Sequence, residues 1–303
     1  MPFKMEKVVV VGIGLIGGSF ALALRAAGAA RRLVGIGRTA KTLREALELR
    51  VVDEAGSSFA TVAGADLVLL AVPVGQSRAV LEAMAPHLWP HTIVTDAGST
   101  KSDVVLAARA ALPAGALSRF VPGHPIAGTE HSGPAAAFAE LFRNRNVVLT
   151  PVAETDAAAL ATVRAAWLAC GARVFEIAPG AHDRIFAAVS HLPHLLAFAL
   201  VGQVANDPDA KRLFSYAAGG FRDFTRIASS HPEMWRDICI ANRDALLAEL
   251  ARFQQELATL RSALQGSDGA TLEAMFARAR NARNRWIEES RPEAADGARD
   301  LSC

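Results

Sequence analysis

The sequence predicts an α/β fold, with an amino-terminal domain built on a parallel sheet and then an all-helical domain. A strand pattern at residues 8–11 runs directly into glycines spaced G-x-G-x-x-G. Strand and helix patterns then alternate as far as residue 177, which is typical of a parallel sheet with crossover helices. Beyond Pro179 and Gly180 only helical patterns occur. We expect domains at 1–178 and 179–290, and a disordered tail at 291–303.

The composition is that of a globular protein without a strongly charged surface. Of the 303 residues, 51% are hydrophobic and 20% are charged, and the net charge is +2. This balance gives no electrostatic reason to expect a nucleic-acid partner. The three cysteines are far apart and form no C-x-x-C pair, which favours a reducing cytoplasm. Residues 185–206 carry no Asp, Glu, Lys or Arg but include two histidines and a proline, so we expect a helix buried in protein and no membrane span.

The first loop has the residues that a dinucleotide site needs. Gly12 permits a tight turn, Gly14 lets the backbone approach a pyrophosphate, and Gly17 lets the helix pack closely on the strand. The N–H groups at the start of that helix attract phosphate. The alternative is a strand–turn–helix whose glycines serve packing alone. We predict a Rossmann-type domain whose cofactor contacts include Gly12, Ile13, Gly14, Leu15, Ile16 and Gly17.

The other elements of the first domain follow in order. Further strand patterns occur at residues 33–36, 65–73, 92–96, 146–150 and 173–177. Helix patterns occur at residues 19–27, 43–50, 80–87, 102–112 and 156–170. The strand at 65–73 ends in Val72 and Pro73, which we expect to line the cofactor site.

The helical part contains a heptad seam. Steps of four and three separate its apolar residues, which are Leu246, Leu250, Phe253, Leu257, Leu260 and Leu264. The seam is too short for an isolated coiled coil. We therefore expect it to pack between subunits or between domains, in a homodimer formed through the helical domain.

The end of the second strand bears on the cofactor. NAD-binding proteins of this type carry an acidic residue about 20 positions beyond the glycines, which hydrogen-bonds the ribose 2′-hydroxyl. Here the strand ends in Arg38 and Thr39, with no acid nearby. A guanidinium and a hydroxyl suit a 2′-phosphate, which favours NADP over NAD. Alternatively, Arg38 stacks on the adenine or faces water while NAD binds through backbone contacts.

Four further segments concentrate polar residues among apolar ones. They are residues 96–101 (DAGSTK), 123–130 (GHPIAGTE), 190–194 (SHLPH) and 219–228 (GGFRDFTRIA). Together with the glycine loop, this ordered set resembles the prephenate/arogenate (cyclohexadienyl) dehydrogenase family of tyrosine biosynthesis, over residues 6–288. The resemblance implies NAD(P)-dependent oxidative decarboxylation of prephenate to 4-hydroxyphenylpyruvate, or of arogenate to tyrosine, in a cleft between the two domains.

His124 is the candidate catalytic residue. It follows a strand in a Gly/Pro-rich turn, at the sheet edge where open α/β sheets bind ligands. A histidine there can accept a proton near pH 7, or it can simply bond to the turn backbone. The resemblance implies that His124 takes the proton of the ring hydroxyl as hydride leaves that carbon. It makes Ser99 a partner of that hydroxyl, although Ser99 could instead cap the helix that begins at Ser102.

The resemblance also assigns the substrate pocket. It implies that Arg226 binds a substrate carboxylate, whereas the sequence alone also allows a salt bridge from Arg226 to Asp223. His191 and His194 can share a helix face as core histidines, and with no third ligand at a suitable spacing we expect no metal. The roles of Lys101 and Arg222 stay open. The other implied pocket residues are Ser190, His194, Thr129, Gly219 and Trp235, with Glu130 at the rim and plain core as the alternative for Trp235.

Two other functions are compatible with parts of the sequence. A β-hydroxyacid dehydrogenase shares the broad architecture but relies on a catalytic lysine in its helical domain. The only lysine after Pro179 is Lys211, in a polar setting. A regulatory protein that binds NADP without catalysis would lack a catalytic residue, whereas His124, Ser99 and Arg226 are all present. The sequence does not choose between prephenate and arogenate.

Overall fold

Six parallel strands form the main sheet of a computed structural model that describes residues 3–129 and 131–289. They are β1 (Met5–Val11), β2 (Ala30–Ile36), β3 (Glu54–Gly56), β4 (Leu67–Leu70), β5 (Ile93–Asp96) and β6 (Phe120–Val121). Their order across the sheet is β3-β2-β1-β4-β5-β6. The direction of winding reverses between β1 and β4, and ligands of such sheets bind at the carboxyl ends beside that point. The predicted Rossmann-type parallel sheet is confirmed.

The last three strands of this region form a second sheet. They are β7 (Gly123–Pro125), β8 (Asn146–Leu149) and β9 (Arg173–Glu176), with β7 antiparallel to β8 and β8 parallel to β9. The expectation that strands 146–150 and 173–177 belong to a single parallel sheet is therefore wrong. Only Pro122 separates β6 from β7, and so short a link cannot make a parallel crossover. The chain leaves the first sheet at that point.

Helices cover both faces of the main sheet. They are α1 (Leu15–Ala26), α2 (Ala40–Glu48), α3 (Ser77–Met84), α4 (Ser102–Ala111), α5 (Ala114–Leu117) and α6 (Ala157–Ala169). In β1, Val8 and Val10 join one apolar cluster, while Val9 and Val11 join another on the opposite face. Because both faces are buried there, this strand is apolar at every position from Val8 to Val11 instead of at alternate ones. The strand-to-loop transitions therefore stand out in the sequence.

The described residues beyond β9 contain helices and no strand, as the sequence predicts. The helices are α7 (Pro179–Phe186), α8 (Leu192–Ala205), α9 (Ala210–Ser215), α10 (Gly219–Thr225), α11 (Pro232–Ala241), α12 (Arg243–Gln265) and α13 (Gly269–Glu289). The predicted heptad seam lies within α12. The tail at 291–303, expected to be disordered, lies outside the described residues.

A π-helical turn, Ala187–His191, joins α7 to α8. Pro193 follows it, and since proline lacks an N–H and clashes with the carbonyl four residues earlier, a regular α-helix cannot continue through this point. The resulting segment, Pro179–Ala205, is long and apolar enough to cross a membrane by length and composition alone, and 28% of its apolar window is buried. The sequence leads us to expect a helix buried in protein and no membrane span, and in the single chain most of α8 is only partly buried.

The chain divides into two compact units, Met1–Leu247 and Ala248–Cys303. The first holds both sheets and the helices through α11. The second holds most of α12 and all of α13, whose first turn is capped by the Asp268 carboxylate accepting from the N–H of Thr271 at 3.0 Å. The boundary that the sequence suggests near residue 178 stays a prediction.

Candidate active site

The loops of four neighbouring strands leave the main sheet at one edge. Val11 of β1 pairs with Leu70 of β4, and Leu70 pairs with Asp96 at the end of β5. β6 ends beside β5, where Thr95 pairs with Val121, and β7 begins immediately afterwards. Adjacent strands lie about 4.8 Å apart. The glycine loop, the loop that contains Ser99, and His124 in β7 are therefore gathered at the same edge.

The three glycines of the loop have two different roles: Gly12 and Gly17 are tightly packed, whereas Gly14 leaves open space. Gly12 has φ +97°, and a Cβ on it would overlap the carbonyl oxygen of Ala71. A Cβ on Gly17 would overlap the carbonyl oxygen of Gly12. A Cβ on Gly14 would meet no atom within 4 Å. Gly14 is the N-cap of α1, with no side-chain cap and no acidic residue in the first turn. This open, uncapped helix start fits a pyrophosphate.

The apolar residues predicted to surround the cofactor lie on and beside the glycine loop. Ile13 and Leu15 are buried, and Ile16 packs against the core. Val72 reaches to 3.3 Å from the position of a Cβ on Gly12, and Pro73 precedes a short 3₁₀ turn. These side chains form the apolar surroundings of the glycine loop.

Arg38 and Thr39 follow β2 directly. Arg38 is exposed and makes no hydrogen bond or ion pair within residues 3–129 and 131–289. Thr39 is the N-cap of α2, where its Oγ1 accepts from the N–H of Thr42 at 3.2 Å. The guanidinium is thus available to an anion, whereas the Thr39 hydroxyl already has a structural use.

His124 lies in a strand and not in a turn, which corrects the sequence expectation. It is the middle residue of β7 and pairs with Val148 of β8. Its ring is partly buried, with its centroid 4.8 Å from that of Phe186. The Nδ1 of His124 is 2.8 Å from Nε2 of His182. Burial, followed by electrostatic interaction with His182, Lys101 and His191, holds the pKa of His124 well below 6.5. A neutral imidazole can act as a base.

His182 and Asp183 form the buried support behind His124. The Nδ1 of His182 is 2.9 Å from Oδ1 of Asp183. The Asp183 carboxylate also accepts from the N–H of Lys101 and of Ser102, each at 2.8 Å, so it caps α4. Although burial opposes it, hydrogen bonding lowers the pKa of Asp183 to about 2. We did not single out this pair from the sequence. The available signal was an adjacent His-Asp pair just before an uncharged run.

Lys101 has a structural position. Its side chain is fully buried and is ion-paired with Asp96, and Nζ donates to the carbonyl of Gly123 at 2.7 Å. Asp96 accepts in turn from the N–H of Gly98 at 2.8 Å and of Gly123 at 3.0 Å. This group ties the end of β5 to the start of β7.

Ser99 lies in the loop between β5 and α4 and is partly buried. Lys101 is the N-cap of α4 and makes no side-chain cap, while Asp183 accepts the hydrogen bonds there. Ser99 therefore does not cap this helix, and the structural alternative for it is wrong. Its side chain stands in the loop that leads from Asp96 to α4.

His191 and His194 have different environments, with Trp235 between them. His191 is buried and bonded to Asn242 at 2.9 Å, and burial lowers its pKa to about 4, so it is a satisfied core histidine. His194 stacks on Trp235, with centroids 3.6 Å apart, and donates from Nδ1 to the carbonyl of Ser190 at 2.9 Å. Burial and the nearby Arg226 lower the pKa of His194. The buried Nε1 of Trp235 has no protein partner among the described residues.

Arg226 departs from its expected setting. It is exposed at the start of a 3₁₀ turn that packs on α8, and no ion pair joins it to Asp223 within the described parts of the chain. The predicted alternative of a salt bridge is thus wrong, because the apolar run around Arg226 lies at the surface and the charge stays hydrated. Arg222 is also exposed.

Two further predicted pocket residues, Thr129 and Gly219, are exposed and lie in other segments of the chain. Thr129 is exposed, accepts from the N–H of His131 at 3.2 Å and lines a cavity of about 440 Å³. Gly219 is the exposed first residue of α10, which packs on α8. Glu130 lies outside the described residues. No group of three metal-ligating side chains occurs within the described stretches.

The structure therefore connects the candidate catalytic residue His124 with the predicted residues His191 and Trp235 in one cluster of contacts. His124 contacts His182, Asp183 follows, and the Asp183 carbonyl accepts from Asn242 at 2.8 Å. Asn242 contacts His191, whose ring lies edge-on to Trp235 with centroids 6.0 Å apart. All these residues belong to the unit Met1–Leu247.

Two family models of prephenate dehydrogenase match this chain. The family model described as prephenate dehydrogenase, nucleotide-binding domain, matches residues 20–176, and the model described as prephenate dehydrogenase, dimerization domain, matches residues 178–278. Cyclohexadienyl dehydrogenase of Zymomonas mobilis is 39% identical over 284 residues, which cover 92% of this chain and 95% of that protein.

Two solved structures are similar over almost their whole length. Prephenate dehydrogenase from A. aeolicus, in complex with hydroxyphenyl propionate and NAD+, has a TM-score of 0.88 and 35% identity, covering 94% of this chain and 99% of that one. Synechocystis arogenate dehydrogenase has a TM-score of 0.78 and 33% identity, covering 92% and 99%. The names of these relatives favour neither a β-hydroxyacid dehydrogenase nor a regulatory protein.

Proposed function

This chain belongs to the prephenate dehydrogenase family of NAD(P)-dependent oxidoreductases, and we propose that His124 is the base of its oxidative decarboxylation. The observation that carries this is the position of a partly buried, neutral histidine at the sheet edge that also bears the glycine loop. His124 accepts the proton of the ring hydroxyl at a ring nitrogen. Ser99, in the neighbouring loop, bonds the same hydroxyl. Loss of the ring carboxylate as carbon dioxide makes the ring aromatic, so the reaction does not reverse.

The nicotinamide cofactor, when bound, supplies the hydride acceptor. Its pyrophosphate fits the uncapped start of α1, because Gly14 leaves open space there while Gly12 and Gly17 are packed. Ile13, Leu15, Ile16, Val72 and Pro73 form the apolar surroundings.

The exposed guanidinium of Arg38 supports a preference for NADP over NAD. It stands at the carboxyl end of β2 without a protein partner among the residues described, and no acid is present there to bind a 2′-hydroxyl. A charge-assisted, two-point contact with a 2′-phosphate suits it. Thr39 contributes chiefly as the cap of α2, with a hydroxyl near the same position.

The substrate pocket is proposed to lie around His194 and Trp235. Arg226, close to His194, binds a substrate carboxylate, and the unpartnered Nε1–H of Trp235 offers a donor. Ser190 orients His194 through its carbonyl. Thr129 and Gly219 stand further out, as rim residues. The substrate is prephenate or arogenate, which differ only in the side chain beside the ring.

A homodimer is proposed through the helical region that we expect to begin near residue 178. Two leucines of the seam are exposed in the single chain, Leu257 at 48% and Leu264 at 67%. Exposed apolar residues repeating at heptad spacing are typical of a helix that packs against a second subunit.

The composition and the absence of a cysteine framework suit a cytoplasmic location.

A two-by-two steady-state assay tests the function directly. Prephenate and arogenate are each assayed with NAD and NADP, following the reduced cofactor. Turnover of at least one substrate, with lower KM for NADP than for NAD, is the expected result. Cofactor binding without turnover of either substrate would refute the catalytic assignment and revive the regulatory one. A strong NAD preference would refute only the role of Arg38.

A further inference from the structure

We propose that His182 and Asp183 are positioning residues that fix the tautomer of His124, so that its Nε2 is the nitrogen left to accept a proton. The geometry behind this is a continuous line of three side chains: Asp183, His182 and then His124. The proposal rests on the catalytic role of His124 proposed above. The present proposal adds that Nε2 of His124 is the atom that accepts the proton and that His182 and Asp183 keep this atom unprotonated.

The line begins at a group that can only accept hydrogen bonds. Oδ1 of Asp183 accepts from the N–H of Lys101, and Oδ2 accepts from that of Ser102. These backbone donors favour the carboxylate, and the pKa of Asp183 is about 2. Oδ1 is also 2.9 Å from Nδ1 of His182. Since an ionised carboxylate has no hydrogen to give, the hydrogen of this contact is on His182.

The second step fixes His124. His182 is fully buried, and burial followed by the charge of Lys101 lowers its pKa despite the bond to Asp183, so the ring is neutral. A neutral imidazole with its hydrogen on Nδ1 has a bare Nε2. That Nε2 lies 2.8 Å from Nδ1 of His124. The hydrogen between the two rings therefore belongs to Nδ1 of His124, and Nε2 of His124 is an acceptor.

The opposite arrangement has a physical cost at each end. If His182 donated to His124 instead, His182 would need either a second proton or a hydrogen on Nε2 in place of Nδ1. A second proton places an imidazolium in a buried site near Lys101. A hydrogen on Nε2 in place of Nδ1 leaves two acceptors, Nδ1 and Oδ1 of Asp183, facing each other at 2.9 Å. Either change would put a hydrogen on Nε2 of His124 and block it as a base.

The line also acts after proton transfer. Once His124 has taken a proton at Nε2, its Nδ1–H still donates to His182, and the carboxylate of Asp183 stabilises the new positive charge through the intervening ring. A carboxylate that orients a histidine and stabilises its charged form has the same use in hydrolytic triads. Here a second histidine extends its reach to β7.

The first test leaves His182 and Asp183 unchanged. Long-range ¹H–¹⁵N correlation spectra of the full-length protein, labelled with ¹⁵N-histidine, distinguish ring nitrogens with and without hydrogen. His124→Asn assigns the His124 signals by their loss. We expect a bare Nε2 and a protonated Nδ1 on His124 at pH 7.5. A hydrogen on Nε2 of His124 would overturn the proposal, whatever the activity of the enzyme.

The second test compares two substitutions of one residue. His182→Gln keeps an acceptor for His124 and a donor for Asp183, whereas His182→Leu keeps neither. We expect His182→Gln to retain the His124 tautomer and kcat within about tenfold. In His182→Leu, we expect a mixed tautomer and a kcat lower by about 10²–10⁴-fold, with unchanged cofactor affinity.

Equal tautomers and equal kcat in the two variants would refute the positioning role. If His182→Leu does not fold, the wild-type spectrum and His182→Gln still decide. Retained turnover in His124→Asn would instead refute the proposed function while leaving the tautomer result intact.

Discussion

Lys101 donates a hydrogen bond from Nζ to the carbonyl oxygen of Gly123 at 2.7 Å. The Lys101 side chain is fully buried, and this hydrogen bond is shielded from solvent. Gly123 precedes His124, so the bond holds the backbone of the candidate base. The same ammonium group places a positive charge near the imidazole. One buried lysine therefore both positions His124 and disfavours its protonated form.

Replacing His124 should abolish most turnover without releasing the cofactor. We expect kcat of His124→Asn to fall by about 10²–10⁴-fold, since the variant has no general base. NADP affinity, measured by titration calorimetry, should match that of the unmodified protein because β7 lies outside the glycine loop. His91→Asn, at an exposed histidine before β5, is the control and should keep full activity. Comparable turnover in both variants would contradict the assignment.

The pH dependence of kcat/KM should reflect the lowered pKa of His124. The base must be neutral, and burial together with His182, Lys101 and His191 opposes its protonation. Activity should therefore persist as the pH falls through 6.5 and be lost only well below that value. The measurement is kcat/KM from pH 5 to 9, corrected for stability by pre-incubation. An acid limb at or above pH 6.5 would show that the free enzyme does not hold His124 in this environment.

Removing the Arg38 guanidinium should affect NADP alone. We expect Arg38→Ala to raise KM for NADP by about 10–100-fold, the effect of losing a charge-assisted contact, and to leave KM for NAD within about twofold. Arg31→Ala is the control, because Arg31 lies in β2 at the end away from Arg38 and pairs with Glu6. An equal change for both cofactors in Arg38→Ala would argue for contact with the adenine instead.

Two alanine substitutions in the glycine loop should have opposite consequences. Gly17→Ala places a Cβ against the carbonyl of Gly12 and should lower the free energy of unfolding by about 1–3 kcal/mol or more. Gly14→Ala meets no protein atom, so its melting temperature should be nearly unchanged while cofactor affinity falls at least tenfold. Thermal melts and calorimetric titration measure the two effects. A Gly14→Ala variant that binds NADP normally would place the pyrophosphate elsewhere.

Much of the first domain was predictable because its signals are local. The run of valines in β1 is apolar throughout since both faces are covered, and short-range geometry demands glycine at Gly12 and Gly17. The second sheet was not predictable from periodicity. The pairing of β7 with β8 joins residues more than 20 positions apart, and a short strand pattern does not state its partner.

The site divides in the same way. The sequence by itself determined the glycine loop, the absence of an acid after β2 and, through its ordered motifs, the choice of His124 as the candidate base. Only the tertiary structure brought His182 and Asp183 behind His124, made Lys101 a buried tie, and left Arg226 without the expected partner. These relationships depend on burial and on contacts across 58 to 82 positions of sequence, as for His124 with His182 and Lys101 with Asp183. Local spacing specifies turns and helix starts, whereas the protonation of a buried side chain is set by whatever distant groups the fold places around it.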